Sequence, residues 1–275
     1  MRPQPLSVLK ATAVAILMLM ACRGVSAESG ANGIPERKIL LLGNSILYSG
    51  NVPATLSNLS RRSEIPLDVS MYAQPGAKVS DIASDSRAMH LLRSGQFDTV
   101  VFHDQGGNSA CASEIILSEE CARIVDDHKK IVDAIREGGA KPYLLGTYQK
   151  SQAASARIEA AESRISKQLG VDHIPLSSKW HAAMKALPNS AWLAEDGMHP
   201  GPALTSLMAV EIFVATTNHC PSQSASVSKG SKGIPLEQRD NKLYAANAHK
   251  EAPAAEMSAG EMRELAIIAR PSCTN

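Results

Sequence analysis

The stretch KILLLGNSILYSG, residues 38–50, decides the fold class of this chain. Its first part is an apolar run typical of a buried strand, and Gly43, Asn44 and Ser45 then lead into polar sequence. A buried strand that stops at a small-residue turn presents a side chain at the carboxyl edge of an α/β sheet, where ligands bind. Ordinary turns show the same pattern. Ser45 is therefore either a turn residue or a nucleophile, and the rest of the chain has to separate the two.

Further apolar, β-branched runs alternate with helical patterns along the chain. Strands are predicted at 38–44, 67–73, 98–104, 141–148 and 171–177, and helices near 53–63, 81–94, 119–137, 151–169 and 202–217. This alternation is typical of βαβ units around a mainly parallel sheet. We expect an α/β protein with five parallel strands whose carboxyl ends meet at one edge.

The first 27 residues have the pattern of an export signal. Arg2 and Lys10 precede the apolar run ATAVAILMLMA, and Val25-Ser26-Ala27 supplies small residues for cleavage. The run is too short to span a bilayer comfortably, so no stable membrane insertion is expected once the signal is removed. Export to the periplasm or secretion follows. A lipoprotein signal at Leu19-Met20-Ala21-Cys22, with lipid anchoring through Cys22, is the less favoured reading.

Residues 28–275 have the length of a single domain. A Ser/Gly/Lys-rich segment at about 221–252 is predicted to be an insertion, after which AEMSAGEMRELAIIAR restores a helical pattern for the last helix.

Cysteine counting agrees with export. Cleavage after Ala27 would leave four cysteines, an even number that suits an oxidising compartment. The preferred pairing is Cys111 with Cys121 and Cys220 with Cys273. The alternative is that some of them are free buried thiols.

Composition bears on the classes of partner. The chain has 28 Lys and Arg against 27 Asp and Glu, so it lacks the basic excess that nucleic-acid binding requires. Aromatic residues make up only 4%, which leaves few platforms for stacking bases or sugars. No nucleic-acid partner is expected, and a pure binding module is disfavoured.

Acyl transfer needs a nucleophile, a base, a group that orients the base, and donors for the oxyanion. Ser45 follows the first strand, Gly76 the second and Asn108 the third. Asp196 and His199 lie three residues apart in the loop EDGMHPGP. With that spacing the carboxylate can accept from one ring nitrogen of His199 and leave the other to take a serine proton.

In order and content these segments resemble the SGNH, or GDSL-type, hydrolases. The resemblance rests on Gly43-Asn44-Ser45 followed by Ile46-Leu47, on the isolated Gly76, on Gly106-Gly107-Asn108 and on Asp196-Gly197-Met198-His199. It implies a flavodoxin-like three-layer α/β/α sandwich that acts on acyl esters without a metal or other cofactor.

The resemblance also implies roles for single residues. Ser45 would be the nucleophile, His199 the general base and Asp196 its orienting partner. The backbone N–H groups of Ser45 and Gly76 and the amide of Asn108 would form the oxyanion hole.

Two positions depart from the family pattern. Asn44 stands where an aspartate usually precedes the serine, and Ser109 follows Asn108 where an aspartate is common. Gln105 is a plausible alternative amide donor.

A metal site is the competing interpretation of the same region. His103, Asp104, Asp196 and His199 could be imagined as four ligands, but neighbouring residues on a strand point to opposite faces. No metal is therefore expected.

Together these features predict an exported serine esterase that hydrolyses or transfers a small acyl group, with an acetyl group on a carbohydrate as the leading substrate. The alternatives are a lipase, lysophospholipase or thioesterase with the same triad, and a non-catalytic exported binding protein on the same fold. The acyl length, hydrolysis against transfer to another acceptor, and the oligomeric state are left open.

Overall fold

A computed structural model describes residues 35–113, 118–222, 237–239, 242–245 and 257–273. The predicted signal peptide, Cys22 and most of the predicted insertion lie outside these residues. The described strands are β1 (Arg37–Gly43), β2 (Leu67–Ala73), β3 (Thr99–His103), β4 (Lys141–Leu145), β5 (Asp172–Ile174), β6 (Glu237–Arg239) and β7 (Lys242–Ala245).

The described helices alternate with the first five strands. They are α1 (Ser45–Ser49), α2 (Val52–Arg62), α3 (Val79–Ala83), α4 (Ser86–Arg93), α5 (Glu119–Glu137), α6 (Gln152–Leu169), α7 (Ser177–Ala186), α8 (Pro202–Thr217) and α9 (Ala259–Ala269), with a short 3-10 helix at Asn108–Ser113.

The strands form one sheet in the order β5-β4-β3-β1-β2-β7-β6. The first five strands pair in parallel, which confirms the predicted parallel core of the sheet. Chain order reverses at β1, because β2 lies on one side of it and β3 on the other. In open α/β sheets, ligands bind at such a switch point, outside the carboxyl ends of the strands. The fold therefore brings the segments that follow β1, β2 and β3 to one place.

A β-hairpin extends the sheet at the β2 edge. β7 pairs antiparallel with β2, and β6 pairs antiparallel with β7. Both strands lie within the predicted insertion, where no strand was predicted because runs of three and four residues are too short to establish a period-2 pattern.

Helices cover both faces of the sheet. Ile39 and Leu41 of β1 pack in one apolar core with α2, α7, α8 and α9, and Leu40 and Leu42 pack in a second core with α3 to α6. Alternate strand residues point to opposite faces. Because all four side chains are buried, the sheet is the middle layer of an α/β/α sandwich, as predicted.

The predicted helix at 81–94 is wrong as a single element, because it is two helices. The side chain of Asp85 accepts a hydrogen bond from the backbone N–H of Arg87 and caps α4. An aspartate in this capping role starts a new helix and ends the preceding one.

The helix α7 was not predicted. Its capping residue, Leu176, makes no side-chain hydrogen bond, so the sequence carries no helix-start signal there. Tertiary contacts hold it instead: Trp180 is buried in the core, and Lys179 Nζ donates to the carbonyl oxygen atoms of Ile268 and Ala269 at the end of α9.

Two disulfides are present, Cys111–Cys121 and Cys220–Cys273. These are the pairs preferred from the sequence. The first joins the 3-10 helix to the start of α5, and the second joins the segments after α8 and α9. No helix in the described part of the chain combines the length and the apolar character that crossing a membrane requires.

Candidate active site

Ser45 lies at the first position of a short helix rather than in a loop. β1 ends at Gly43, and the side-chain Oδ1 of Asn44 caps α1 by accepting from Ile46 N at 3.1 Å. A Cβ atom on Gly43 would lie 3.2 Å from His103 Cβ and 2.9 Å from Leu47 Cδ1, so a larger residue there would press on the end of β3 and on Leu47 of α1. Ser45 is thereby held at the carboxyl edge of the sheet.

Asn44 also ties the first segment to the second. It is 2% exposed, and its Nδ2 donates to the carbonyl oxygen of Ala77 at 3.0 Å. An ionised aspartate accepts hydrogen bonds but cannot donate. The Asn44 amide caps α1 through its oxygen and holds the loop after β2 through its nitrogen. This gives a physical reason for asparagine at this position.

Gly76 lies in that loop with φ +64°, in the left-handed region that favours glycine. A Cβ atom added there would meet nothing within 4 Å, so the backbone conformation rather than crowding requires the glycine. Gln74 N donates to Gly43 O at 3.0 Å, which places the end of β2 beside the end of β1. Ser45 and Gly76 therefore follow adjacent strand ends.

Asn108 and Gln105 both lie in the segment after β3. Asn108 is half-buried and starts the 3-10 helix, and its Nδ2 donates to Asp104 Oδ2 at 2.9 Å. Gln105 is exposed. Each side chain carries an amide nitrogen with a hydrogen to offer, so the two remain alternative donors.

Asp196 and His199 form a direct pair. Asp196 Oδ2 lies 2.5 Å from His199 Nδ1, and Asp196 Oδ1 accepts from the backbone N–H of Met198 at 2.8 Å and of His199 at 3.0 Å. Because a carboxylate can only accept, Nδ1 carries the hydrogen, and Nε2 is left as the basic nitrogen. His199 therefore has a free ring nitrogen that can accept a proton, as a general base must.

The same three hydrogen bonds hold the pKa of the Asp196 carboxyl far below its ordinary range, with the bond from the His199 side chain as the largest cause. The side chains of Asp196 and His199 are 44% and 27% exposed. The carboxylate therefore stays charged beside the imidazole, and its exposure to solvent favours the charged form as well.

The loop after β4 supports the Asp-His pair. Tyr148 Oη donates to the carbonyl oxygen of Met198 at 2.7 Å, and both burial and the Asp196 charge raise the pKa of Tyr148. On its other side, a Cβ atom on Gly106 would lie 3.3 Å from Thr147 Oγ1. This loop thus contacts both the segment after β3 and the Asp-His loop.

The helix that begins with Ser45 touches the helix that follows His199. A Cβ atom on Gly50, at the end of α1, would lie 1.9 Å from Thr205 Oγ1 in the first turn of α8. The end of α1 and the start of α8, which follow Ser45 and His199 in the chain, are therefore in contact.

Within the described residues, no hydrogen bond joins the Ser45 hydroxyl to His199. Ser45 instead lies beside Tyr48: burial raises the pKa of the Tyr48 phenol, and a hydrogen bond with the Ser45 side chain opposes that rise. Hydrogen bonds between nucleophile and base are often long before substrate binds.

His103 and Asp104 have partners apart from the Asp-His pair. His103 is fully buried with Nδ1 3.3 Å from Leu145 O, and burial lowers its pKa. Over the described ranges, no three His, Cys, Asp or Glu side chains are grouped as a metal site would need.

Two residues of the site were not singled out for these roles from the sequence. Asp104 was weighed only as a metal ligand, and Tyr148 only as the end of a strand. The available signal for Asp104 was a carboxylate placed just after the apolar run Val100-Val101-Phe102 of a predicted buried strand, where an unpaired charge is costly. Tyr148 had no such signal, because its bond goes to a backbone atom 50 residues away.

Comparison with known proteins rests on structure, since no family model matches the sequence and no curated protein matches it either. A DUF4886 family protein from Bacteroides uniformis is similar, with a TM-score of 0.56 and 14% identity over 67% of this chain and 84% of that one. An acetyl xylan esterase, AlAXEase, has a TM-score of 0.51 and 14% identity over 65% of this chain and 98% of that one.

The psychrotrophic esterase EstA from Pseudoalteromonas is similar at a TM-score of 0.50 and 12% identity, over 66% of this chain and 97% of that one. Identities this low bear on the fold alone. Together with the sheet order and the helix layers, they show that the chain shares the α/β/α fold of these proteins, which is the fold that the resemblance to the SGNH, or GDSL-type, hydrolases implies.

Proposed function

We propose that the protein is a serine esterase that hydrolyses or transfers a small acyl group through Ser45, His199 and Asp196. The observation that carries the proposal is the Asp196–His199 hydrogen bond, in a loop whose following helix contacts the helix of Ser45. Two of the similar structures are described as esterases, which supports ester chemistry on this fold.

In the proposed reaction, His199 Nε2 accepts the Ser45 proton while Ser45 Oγ attacks the ester carbonyl carbon. The tetrahedral intermediate collapses as the carbonyl–alkoxy bond breaks, and His199 returns the proton to the leaving alcohol. Water, or the hydroxyl of an acceptor, then attacks the acyl-enzyme with the same proton transfers. Asp196 keeps the imidazole in the tautomer that both steps need.

The oxyanion would be bound by donors from three separate segments. These are the backbone N–H of Ser45, the backbone N–H of Gly76 and the side-chain amide of Asn108, with Gln105 as the alternative amide. The Ser45 N–H is suited to this because the first N–H groups of a helix have no partner inside it.

An acetylated carbohydrate is the substrate class that we favour. One similar structure is described as an acetyl xylan esterase, which supports this choice. A lipase, lysophospholipase or thioesterase with the same triad is the alternative within the class.

We also propose that residues 1–27 are a signal peptide and that residues 28–275 form a single exported domain. Two disulfides are compatible with an oxidising compartment. The alternative is that the protein is anchored to a membrane through a lipid on Cys22. The mass of the amino-terminal peptide of the mature protein would distinguish the two.

The test is hydrolysis of 4-nitrophenyl acetate by the mature protein, by Ser45→Ala and by Ser49→Ala, which is a matched control because Ser49 is an exposed serine of the same helix. We expect Ser45→Ala to lose on the order of a thousandfold in kcat or more, and Ser49→Ala to keep wild-type activity.

Two results would count against the proposal. Equal activity in Ser45→Ala would exclude Ser45 as nucleophile. A folded wild type without activity on aryl esters from acetyl to long acyl chains would favour the non-catalytic binding protein.

A further inference from the structure

The carboxylate of Asp104 is a meeting point for the segments of the proposed oxyanion hole. It follows β3 directly and is 4% exposed. Oδ1 accepts from the backbone N–H groups of Val79 at 2.9 Å and Gln105 at 2.8 Å. Oδ2 accepts from Asn108 Nδ2 at 2.9 Å and Ser109 Oγ at 2.8 Å. Four donors compensate for the loss of water around a buried charge.

One of these bonds determines which way the Asn108 amide faces. An ionised carboxylate can only accept, so Asn108 must turn its nitrogen, not its oxygen, toward Asp104. The nitrogen carries two hydrogens, and the second is left to point away from Asp104. The buried charge therefore selects the amide orientation that keeps a donor available.

A second bond fixes the neighbouring segment. Val79, whose N–H binds Asp104, is three residues after Gly76, and Ala77 in the same loop binds Asn44. Buried polar bonds thus join the segments after β1, β2 and β3 to one another. A shift of Asp104 would move donors in two of the three segments.

Ser109 adds to the same carboxylate. It occupies the position where the related hydrolases commonly have an aspartate, and its hydroxyl donates to Asp104. The negative charge near Asn108 therefore lies at Asp104, before Asn108 in the chain, rather than directly after it.

Helix α5 encloses the carboxylate on the remaining side. His128 Nδ1 lies 2.8 Å from the carbonyl oxygen of Ile124, so Nδ1 carries a hydrogen. His128 Nε2 lies 3.6 Å from Asp104 Oδ2, and the side chains of both residues are almost completely buried.

We infer that Asp104 is a positioning residue of the active site, which acts through Asn108 by holding its side-chain amide as an oxyanion donor. This inference rests on the proposed function for its kinetic readout. Asp104 itself would not touch the substrate.

The decisive variant is Asp104→Asn in the full chain. The new side-chain oxygen can still accept from the N–H groups of Val79 and Gln105, but the new NH2 group then faces Asn108. Asn108 has to turn its oxygen toward that group, which removes the donor from its place. We expect kcat to fall about ten- to a hundredfold with KM changed less than about threefold, as loss of an oxyanion donor should cause.

Asp98→Asn is the matched control. Asp98 lies at the other end of β3, and its Oδ2 accepts from the backbone N–H of Lys38 at 2.8 Å. It is exposed and far along the strand from the site, so wild-type kinetics are expected.

A double-mutant cycle separates positioning from general damage. In an Asn108→Ala background, Asp104→Asn should cost no further activity. Suppose instead that Asp104→Asn lowers kcat in the Asn108→Ala background by the same factor as in the wild type, but has no effect in a Gln105→Ala background. The donor that depends on Asp104 is then Gln105, and the inference is wrong. If the losses add in both backgrounds, Asp104 acts on neither amide and the inference also fails.

A readout independent of activity keeps this inference separate from the proposed function. In NMR spectra, one Asn108 side-chain hydrogen should exchange slowly with solvent in the wild type and rapidly in Asp104→Asn. Rapid exchange of both hydrogens in the wild type would overturn the inference whatever the kinetics. If one Asn108 hydrogen exchanges slowly but the folded protein has no esterase activity, the Asn108–Asp104 contact is supported and the proposed function is rejected.

Discussion

The segment after β3 and the loop before α8 each turn around an aspartate, but the side chain of Asp104 is 5% exposed whereas that of Asp196 is 44% exposed. The donors to Asp196 all come from within three residues of it. Asp104 binds groups as far away as Val79, 25 residues earlier. The comparison shows that one carboxylate orders its own loop, while the other joins separate loops to each other. Changes at Asp196 should therefore affect chemistry alone, and changes at Asp104 should affect stability as well.

The largest expected effect is on turnover in Asp196→Asn. The new side-chain oxygen would keep the two backbone N–H groups, so its NH2 group would face His199 Nδ1. The imidazole would then carry its hydrogen on Nε2 and could not accept the Ser45 proton. We expect kcat to fall on the order of ten-thousandfold, as in a serine-protease triad with the wrong tautomer, and the thermal midpoint to stay unchanged.

The measurement pairs a steady-state ester assay with a thermal melt. A kcat within a few-fold of wild type would show that Asp196 does not orient the base. A large fall in the thermal midpoint would contradict the local character of this loop.

The second expected effect is on stability, in Asp104→Ala compared with Asp196→Ala. Truncating Asp104 leaves several buried donors without an acceptor, which should lower the free energy of unfolding by about 3 kcal/mol. Truncating the exposed Asp196 should leave the free energy of unfolding unchanged within error. Urea unfolding of the three proteins at pH 7 measures both, and equal losses in the two variants would remove the distinction drawn here.

The smallest expected effect is on the titration of Asp196. Hydrogen bonds to its charged form lower its pKa, so the carboxylate should remain ionised below the ordinary aspartate value of about 3.9. Any stability from these bonds is present above that ordinary value and is lost as the pH falls through the lowered one. Because the group is exposed, that loss should lie within the error of an unfolding measurement, as for Asp196→Ala.

Carboxyl-detected NMR titration tests this directly. His199→Ala should move the Asp196 pKa back toward its ordinary value, because the largest cause of the shift is removed. An ordinary pKa in the wild type would mean that the Asp196–His199 bond is not populated in solution.

Much of the fold could be predicted from the sequence, because β1, β3 and β4 contain continuous apolar runs and helical patterns separate the strands. The segments of Ser45, Gly76 and Asn108 could be predicted for the same reason, since each follows the end of a strand. The loop of Asp196 and His199 was identified by its residue spacing instead. Helix α1 was missed because Asn44 and Ser45 resemble turn residues, and only the structure shows that Asn44 caps a helix. The hairpin of β6 and β7 was missed because its strands are too short to show a period.

The links between the segments could not be predicted. The bonds from Asn44 to Ala77 and from Val79 to Asp104 join residues 33 and 25 positions apart. Side chain–backbone bonds of this kind depend on how the segments are placed in the tertiary structure, so no periodicity in the sequence predicts them. Asp104 looked like one more polar residue at a strand end until its burial and its four donors were known.

The most direct test of the central claim is to label the protein with a fluorophosphonate and to find the modified residue by tandem mass spectrometry. If Ser45 is a nucleophile activated by His199, the wild type should gain one adduct, located on Ser45. Ser45→Ala and His199→Ala should gain none. An adduct on another serine, or no adduct on a folded wild type under conditions that label a control serine esterase, would contradict the account.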